Sequence, residues 1–423
     1  MSERAVPTVL IGAGQAGLAT SHRLAERGVE HVILDAEGIG AAWLTKRWDS
    51  FRLVSPDHLN ELPGGGPATD DPDRFPTSRQ FVDYLERYAT SFAAPVEAGV
   101  RVDRVRPAPS GGFRLSTSVG PIDARAVVVA TGAFGHPVVP PLAADLPPRI
   151  TQLVTDDYRS PAALPPGGVL VVGSGQSGLQ IADELARAGR DTWLAIGRWG
   201  WVPRRPWNHD QMDWRLEMGD FARVVGDAGN PTWRYPFTPM SRWGTDDFHL
   251  GTVAASGVRV VGRVTDVDGE RLTLSTDVAE QIAAADQYAN TFLARVHAFA
   301  SARGQDLGPT PPTVSCWTGR PPVEPVPELD LAAAGVSTVI WSTGYAQDFS
   351  WVDVPGAFAG TGAPFQHQGR STRAPGLAFV GLHRMWLGGS GTVLGVGWDA
   401  TVVADTIADH LAGVPEAWPV ERR

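Results

Sequence analysis

The chain has 423 residues, 43% hydrophobic and 19% charged, an ordinary composition for a globular protein long enough for two or three domains. A formal net charge of −10 argues against a nucleic-acid partner, no apolar run approaches the roughly 18 residues of a spanning helix, and no basic amphipathic stretch marks a membrane surface. Cys316 is the only cysteine, which excludes an intrachain disulfide, a dithiol redox pair and a zinc ribbon.

In chain order, residues 6–11 ("VPTVLI") read as a short apolar strand running into a Gly-rich turn. With that strand starting near Val6 there is no room for a signal peptide, and the expected compartment is the reduced cytoplasm. A helical pattern from about Gln15 to Arg27 ends at Gly28, and "HVILD" (31–35) closes a βαβ unit. The β-branched run "AVVVATG" (126–132) reads as a buried parallel strand. Pro-rich connections at 137–148 and 165–168 predict a domain boundary. A second βαβ unit opens at Val169 and reaches its second strand at "DTWLAIG" (191–197). Residues 199–250 show no period and are rich in Trp, Pro and Arg; a helix is expected from about Asp277 to Ala302. The Pro-rich segment 309–327 predicts the second boundary, "VSTVIWSTG" (336–344) repeats the strand-to-Thr-Gly pattern, and the loop 387–400 leads into a helix through about Ala412. The expected fold class is α/β with two Rossmann-like units. The first domain is split into residues 1–147 and 326–423, around an inserted domain at 148–325 that carries the Trp-rich stretch.

The two βαβ units repeat each other. "VLIGAGQAGLATSHRLAERG" (9–28) matches "LVVGSGQSGLQIADELARAG" (170–189) without a gap, so that Gly12, Gly14 and Gly17 fall on Gly173, Gly175 and Gly178. In such a turn the first glycine makes the bend, the second admits a pyrophosphate and the third lets helix and strand pack closely. The pyrophosphate rests on free N–H groups at the helix N-terminus, beside Gln15 in one copy and Gln176 and Ser177 in the other. At the end of the second strand the first unit carries Asp35, suited to ribose hydroxyls. The second unit has no acid there; Arg198 follows instead, suited to a ribose 2′-phosphate, with Arg204 and Arg205 as assistants. FAD and NADPH fit that pair.

These motifs, with "GIGAAWLTKRWDSFRL" (38–53), "STGY" (342–345) and "GSGTVLGVGWDA" (389–400), make the chain similar over nearly its whole length to the class B flavin-dependent monooxygenases. That group includes the dimethylaniline, YUCCA and Baeyer–Villiger types, and the bacterial CzcO-like branch resembles the chain most. The resemblance implies FAD in the first fold and NADPH in the inserted one. It places Trp43 close to the flavin, the Thr131–Gly132 and Thr343–Gly344 turns over the cofactor, and Gly391, Thr392 and Val393 against the flavin's pyrimidine end. By the same alignment Trp48, Asp49 and Arg52 fall beside the flavin, with Asp49 and Arg52 as candidate catalytic polar groups; a structural ion pair is the alternative. His383 and Trp386 are expected to line the cavity. Two departures stand out. Pro148, Ile150 and Val154 replace the three marker residues of the group's Phe-x-Gly-x-x-x-His fingerprint, and Val54 stands where relatives carry Asn or Asp.

Tryptophans cluster between Trp193 and Trp243, forming either an aromatic substrate wall or a small core. His209, Asp210 and Asp213 lack regular ligand spacing, and no metal is expected. The implied reaction is oxygen insertion from O2 through a C4a-(hydro)peroxyflavin into a small, largely apolar substrate, by a monomer or homodimer. A flavin reductase or oxidase without insertion is the alternative; disulfide reduction would need a second thiol.

Overall fold

The computed structural model describes residues 4–225 and 244–414. The elements run β1 (Arg4–Ile11), α1 (Gln15–Glu26), β2 (Val32–Asp35), α2 (Ala42–Thr45), α3 (Ser78–Ser91), β3 (Val96–Ala98), β4 (Val102–Pro107), β5 (Phe113–Thr117), β6 (Gly120–Val129) and β7 (His136–Pro137). They continue with β8 (Thr151–Val154), β9 (Gly168–Val172), α4 (Gln176–Arg187), β10 (Thr192–Ala195), α5 (Gln211–Glu217), α6 (Leu250–Ala255), β11 (Arg259–Val261), β12 (Val264–Asp268), β13 (Arg271–Leu274) and α7 (Val278–Ala302). The chain closes with β14 (Glu328–Asp330), β15 (Val336–Trp341), β16 (Tyr345–Ala346), β17 (Gln366–His367), β18 (Arg370–Ser371), β19 (Leu377–Phe379) and α8 (Val396–Ala412).

Two sheets carry the molecule. The first has the order β17-β18-β19-β6-β1-β2-β3, with β4 and β5 added as an antiparallel flap on β6; its centre, β19-β6-β1-β2-β3, is parallel. The second, β11-β10-β9-β15-β8, is parallel throughout. A parallel strand covered on both faces needs continuous apolar character. "VLI" of β1, "VVV" of β6 and "VLVV" of β9 meet that need, and all of these residues are buried. The result is the doubly repeated α/β fold, the second unit inserted into the first.

The return crossing lies later than proline density predicts. β15, expected in the returning half of the first domain, pairs with β9 and β8 of the second sheet, and β14 pairs with β13. The chain therefore recrosses after Trp341 rather than near residue 326. The physical reason is that β9 needs a parallel neighbour on its free side, just as β1 has β6. The Pro-rich 309–327 segment is a loop of the second unit, its Cys316 carbonyl packed where a Cβ on Gly251 of α6 would sit. The two crossings meet as a small antiparallel ribbon, β7 with β16.

The tryptophan-rich stretch packs as core. Trp199, Trp201 and Trp214 are buried, Trp201 Nε1 donates to Asp286 on α7 at 2.9 Å, and Trp214 Nε1 donates to the Pro206 carbonyl at 3.1 Å. Residues 226–243, with Trp233 and Trp243, lie outside the described residues. No helix among the described residues is long and apolar enough to cross a membrane.

Candidate active site

Each Gly turn is built by backbone crowding. A Cβ on Gly12 would lie 2.6 Å from the Ala130 carbonyl oxygen, and one on Gly17 only 1.9 Å from the Gly12 oxygen. The second copy repeats this: a Cβ on Gly173 would lie 2.2 Å from the Ser342 oxygen, and one on Gly178 2.0 Å from the Gly173 oxygen. Gly14 and Gly175 differ. Each caps a helix N-terminus in extended backbone, and a Cβ there would meet nothing within 4 Å. The open side of both caps is a cavity of about 1460 Å³. Two helix N-termini with free N–H groups, each beside a glycine with space above it, fit two pyrophosphates.

The cavity is continuous between the sheets. It is lined by Gly12, Gly14, Gln15, Asp35, Trp43, Thr131 and Gly132 from the first unit, and by Gly173, Gly175, Gln176, Ser177 and Arg198 from the second. Thr343 and Gly344 of the return crossing and Gly391, Thr392 and Val393 complete it. Gly17 and Gly178 sit behind the turns rather than on the cavity, as their packing role requires. Trp43 Nε1 donates to Gln15 Oε1 at 3.2 Å, fixing the indole across the first turn. Asp35 accepts from the amides of Ala13 (2.8 Å), Glu37 (2.9 Å) and Gly38 (2.8 Å). Those bonds leave little free acceptor capacity, and the neighbouring Glu37, exposed to the cavity, adds a second carboxylate for a ribose.

Four expected residues fall elsewhere. Arg204 is 1% exposed and ion-paired to Asp210 at 2.6 Å; it donates to the Val54 carbonyl at 3.0 Å and lies over Phe75. It is a buried strut, not a phosphate reader. Trp48 is buried in the core beside Tyr158, edge-on to Phe51 at 5.1 Å. Asp49 is exposed, its backbone N–H bonded to the Arg159 carbonyl, and Arg52 donates to the Phe75 carbonyl at 3.0 Å. None of these four lines the cavity, so neither Asp49 nor Arg52 can touch a reacting group there. The alignment places the segment correctly, but the helical turn at 42–45 and the bend after it send alternate side chains away from the cavity. His209, Asp210 and Asp213 are likewise taken up by pairs with Glu217, Arg204 and His58.

Sequence reasoning missed other lining residues. Arg263, just beyond β11, faces the cavity beside Arg198, which lies just beyond the adjacent β10; both are exposed. Arg47 spreads its guanidinium over Trp43, Phe51 and Phe134 at 5.5, 5.5 and 5.2 Å. Phe134 also meets Tyr345 and His383 edge-on, both at 5.1 Å. Phe134 and Tyr345 each follow a Thr-Gly turn, a symmetry that could have revealed them. His383 opens onto the cavity, and desolvation by the protein packed around its ring lowers its pKa and favours the neutral ring. Tyr345 is pushed well above the usual phenol range by burial and by its 2.6 Å bond to Asp156. Trp386 lies behind the loop, not on the cavity. Val54 does line it, presenting a methyl surface to the cavity.

Comparison with known proteins agrees with this geometry. The family model described as pyridine nucleotide-disulphide oxidoreductase matches residues 9–212, although Cys316 alone cannot form the dithiol of a disulfide reductase. The CzcO-like oxidoreductase of Geobacillus kaustophilus is 29% identical over 407 residues, covering 96% of this chain and 99% of that relative. An indole-3-pyruvate monooxygenase of Oryza sativa, YUCCA1, is 32% identical over 184 residues, 43% of this chain and 45% of its own length. The flavin-containing monooxygenase of Stenotrophomonas maltophilia shares the fold with a TM-score of 0.67 at 21% identity, covering 96% and 99% of the two chains. FAD and NADPH are the cofactors expected of such proteins. In fold, paired glycine turns and sequence the chain is thus similar to flavin-dependent oxidoreductases and monooxygenases.

Proposed function

We propose that this protein is an NADPH-dependent FAD monooxygenase that inserts one atom of O2 into a small, largely apolar substrate. The observation that carries the proposal is the cavity lined by both Gly turns, with Asp35 and Glu37 at the end of β2 and Arg198 and Arg263 at the ends of β10 and β11; Lys46, Arg47 and Arg101 line it too from the first unit. FAD, once reduced by NADPH, supplies the oxygen-activating chemistry. The chain's own residues bind, orient and exclude water. Gly14 and Gly175 leave space for the two pyrophosphates, Asp35 and Glu37 serve a plain ribose, and Arg198 with Arg263 serves a 2′-phosphate. Trp43, Phe51 and Phe134 supply an apolar wall where the two units meet. The buried tryptophans Trp199, Trp201 and Trp214 pack as core and do not line the cavity.

The test supplies labelled dioxygen and NADPH with candidate amines, sulfides and ketones, and follows label into product. Label in a product is expected. If NADPH is consumed, hydrogen peroxide accounts for all the oxygen and no product carries label, the protein is an oxidase. Val54 is the observation favouring that second reading, because a methyl surface cannot hold a polar oxygen species by hydrogen bonds.

A further inference from the structure

In the first turn of α8, Asp399 is completely buried. Its Oδ1 accepts from Trp386 Nε1 at 2.7 Å and from Ser390 Oγ at 2.9 Å. Both donors belong to the loop 382–395. Its front half is also held by the 221–225 segment (the Gly388 and Gly389 amides donate to the Arg223 and Phe221 carbonyls, the Val225 amide to the Trp386 carbonyl) and by Gln366 Nε2 on the Met385 carbonyl. The loop is further tied to itself. Ser390 Oγ accepts from the Leu387 amide at 3.1 Å, the Arg384 amide donates to the Ser390 carbonyl at 3.0 Å, and Thr392 Oγ1 bridges Gly389 and Gly395. Gly391 has a left-handed φ of +81°, and a Cβ there would lie 2.9 Å from the Leu382 carbonyl. The outer face of this loop, Gly391 to Leu394, lines the cavity; Asp399 does not. One carboxyl oxygen thus ties the cavity-facing loop to the helix behind it.

We propose that Asp399 is a positioning residue for the flavin, holding the 386–394 loop through Trp386 and Ser390 in the shape that faces the cofactor. The proposal rests on the assignment of FAD to the first turn. A buried carboxyl is an unusual choice for a strut, because Oδ2 finds no hydrogen-bond partner among the described residues. The choice makes the strut adjustable. Burial raises the pKa of Asp399 to about 7, against the pull of Ser390, Trp386 and the Gly391 amide. The charged and titratable groups on the surrounding elements are His383 and Arg384 in the loop, and His22, Arg23 and Glu26 on α1 with Arg27 just after it (paired with Asp405 on α8). To these are added Asp123 and Arg125 on β6 (Arg125 bonded to the Leu411 carbonyl), Asp409 and His410 on α8, and Arg223 on the segment bonded to Gly388. None of them contributes to that shift, and β19 presents none. Because the buried arrangement favours the neutral carboxyl, ionisation above neutrality works against it, so the loop loosens as pH rises through 7.

The experiment measures FAD release from the full-length holoenzyme by flavin fluorescence on dilution, between pH 6 and 8, alongside NADPH binding. The variants are Asp399→Asn, Asp399→Leu and Ser390→Ala. Wild type should release FAD several-fold faster at pH 8 than at pH 6. Asp399→Asn, whose amide oxygen can still accept both bonds, should hold FAD within about twofold of the low-pH wild type and show no pH dependence. Asp399→Leu should release it at least about tenfold faster, the loss of two buried hydrogen bonds. Should the leucine variant fail to fold, Ser390→Ala removes one donor only and should give an intermediate rate. NADPH affinity, read at the other turn, should not change in any variant. The proposal is overturned if Asp399→Leu, or Ser390→Ala in its place, keeps wild-type release, if Asp399→Asn keeps the pH dependence, or if NADPH affinity falls in step. A protein that binds no FAD at all would instead overturn the functional reading.

Discussion

The second Gly turn allows two neighbouring glycines to be separated by mechanism. Gly175 has φ −70° and ψ 172°, backbone that any residue adopts, and a Cβ there meets open cavity. Gly175→Val should therefore fold normally, while its methyl groups occupy the space above the α4 N-terminus. Losing two charge-assisted N–H to phosphate bonds at about 1.5–3 kcal/mol each predicts at least a hundredfold weaker NADPH binding. Gly178 is the opposite case. Its Cβ would sit 2.0 Å from the Gly173 oxygen and 3.3 Å from the Ser342 Cβ, so helix and turn must separate by more than an ångström. Overpacking costs about 1–3 kcal/mol where side chains can yield, and here the obstacle is backbone. Gly178→Ala should consequently lose stability by at least that amount. The assays are NADPH titration of flavin reduction and urea unfolding. FAD, held at the other turn, should stay bound in Gly175→Val. A folded Gly175→Val protein with wild-type NADPH affinity would refute the pyrophosphate assignment, and a fully stable Gly178→Ala would refute the packing argument.

Arg198→Ala and Arg263→Ala should each weaken NADPH by about 1–3 kcal/mol and leave NADH nearly unchanged, the double variant losing the preference; an intact NADPH/NADH ratio in the double variant rejects both readers. Arg204→Met should instead destabilise the protein by about 3–5 kcal/mol, because it strands the Asp210 carboxylate of a buried pair, without altering the coenzyme ratio. A changed ratio at unchanged stability would return Arg204 to the phosphate site. For Asp399, a rise from 3.8 to about 7 means that the folded state favours the neutral carboxyl. Its contribution is present below pH 3.8 and is lost as pH climbs through 7, so wild type should lose roughly 2–3 kcal/mol relative to Asp399→Asn between pH 5 and 8. Parallel stability–pH curves for the two proteins would contradict that sign.

Legibility in the sequence followed the range of the interaction. The Gly turns were readable because bend, approach and packing all act within six residues, and the strand before and helix after each turn carry their own periods. The line from Gln15 to Trp43 was readable through the quoted motif, whose spacing brings the indole back over the first turn. Arg204 was misplaced because nearness in sequence to Arg198 was taken for nearness in space; one buried turn separates them, and Asp210 and Asp247 claim Arg204 first. Arg263 was invisible for the converse reason. It comes to the same end of the cavity as Arg198 because the three-residue β11 pairs beside β10, a pairing between segments more than 60 residues apart that no local period announces. Proline density misled in the same way at 309–327, where it marks a loop closing onto α6 and not the return to the first sheet.

The repeat explains more than the presence of two binding turns. In a parallel sheet, ligands sit beyond the carboxyl ends of the strands. β1 and β9 both end on the cavity, and the strands that cover them, β6 and β15, end there too at Ala130 and Ser342. Each then runs through Thr-Gly into one half of the β7–β16 ribbon, so Thr343 Oγ1 bonds the Val138 carbonyl and Phe134 meets Tyr345. The same turn used twice, with both exits sewn together, makes the two seats face a shared space. Transfer between two cofactors requires their reacting ends to meet in a water-poor place, a matter of orientation more than of acid or base. An Asp49 and an Arg52 pointing away from the cavity are consistent with that division of labour, because the rings of Trp43, Phe51 and Phe134 wall the cavity there, and the titratable groups beside them are Arg47, Tyr345 and His383.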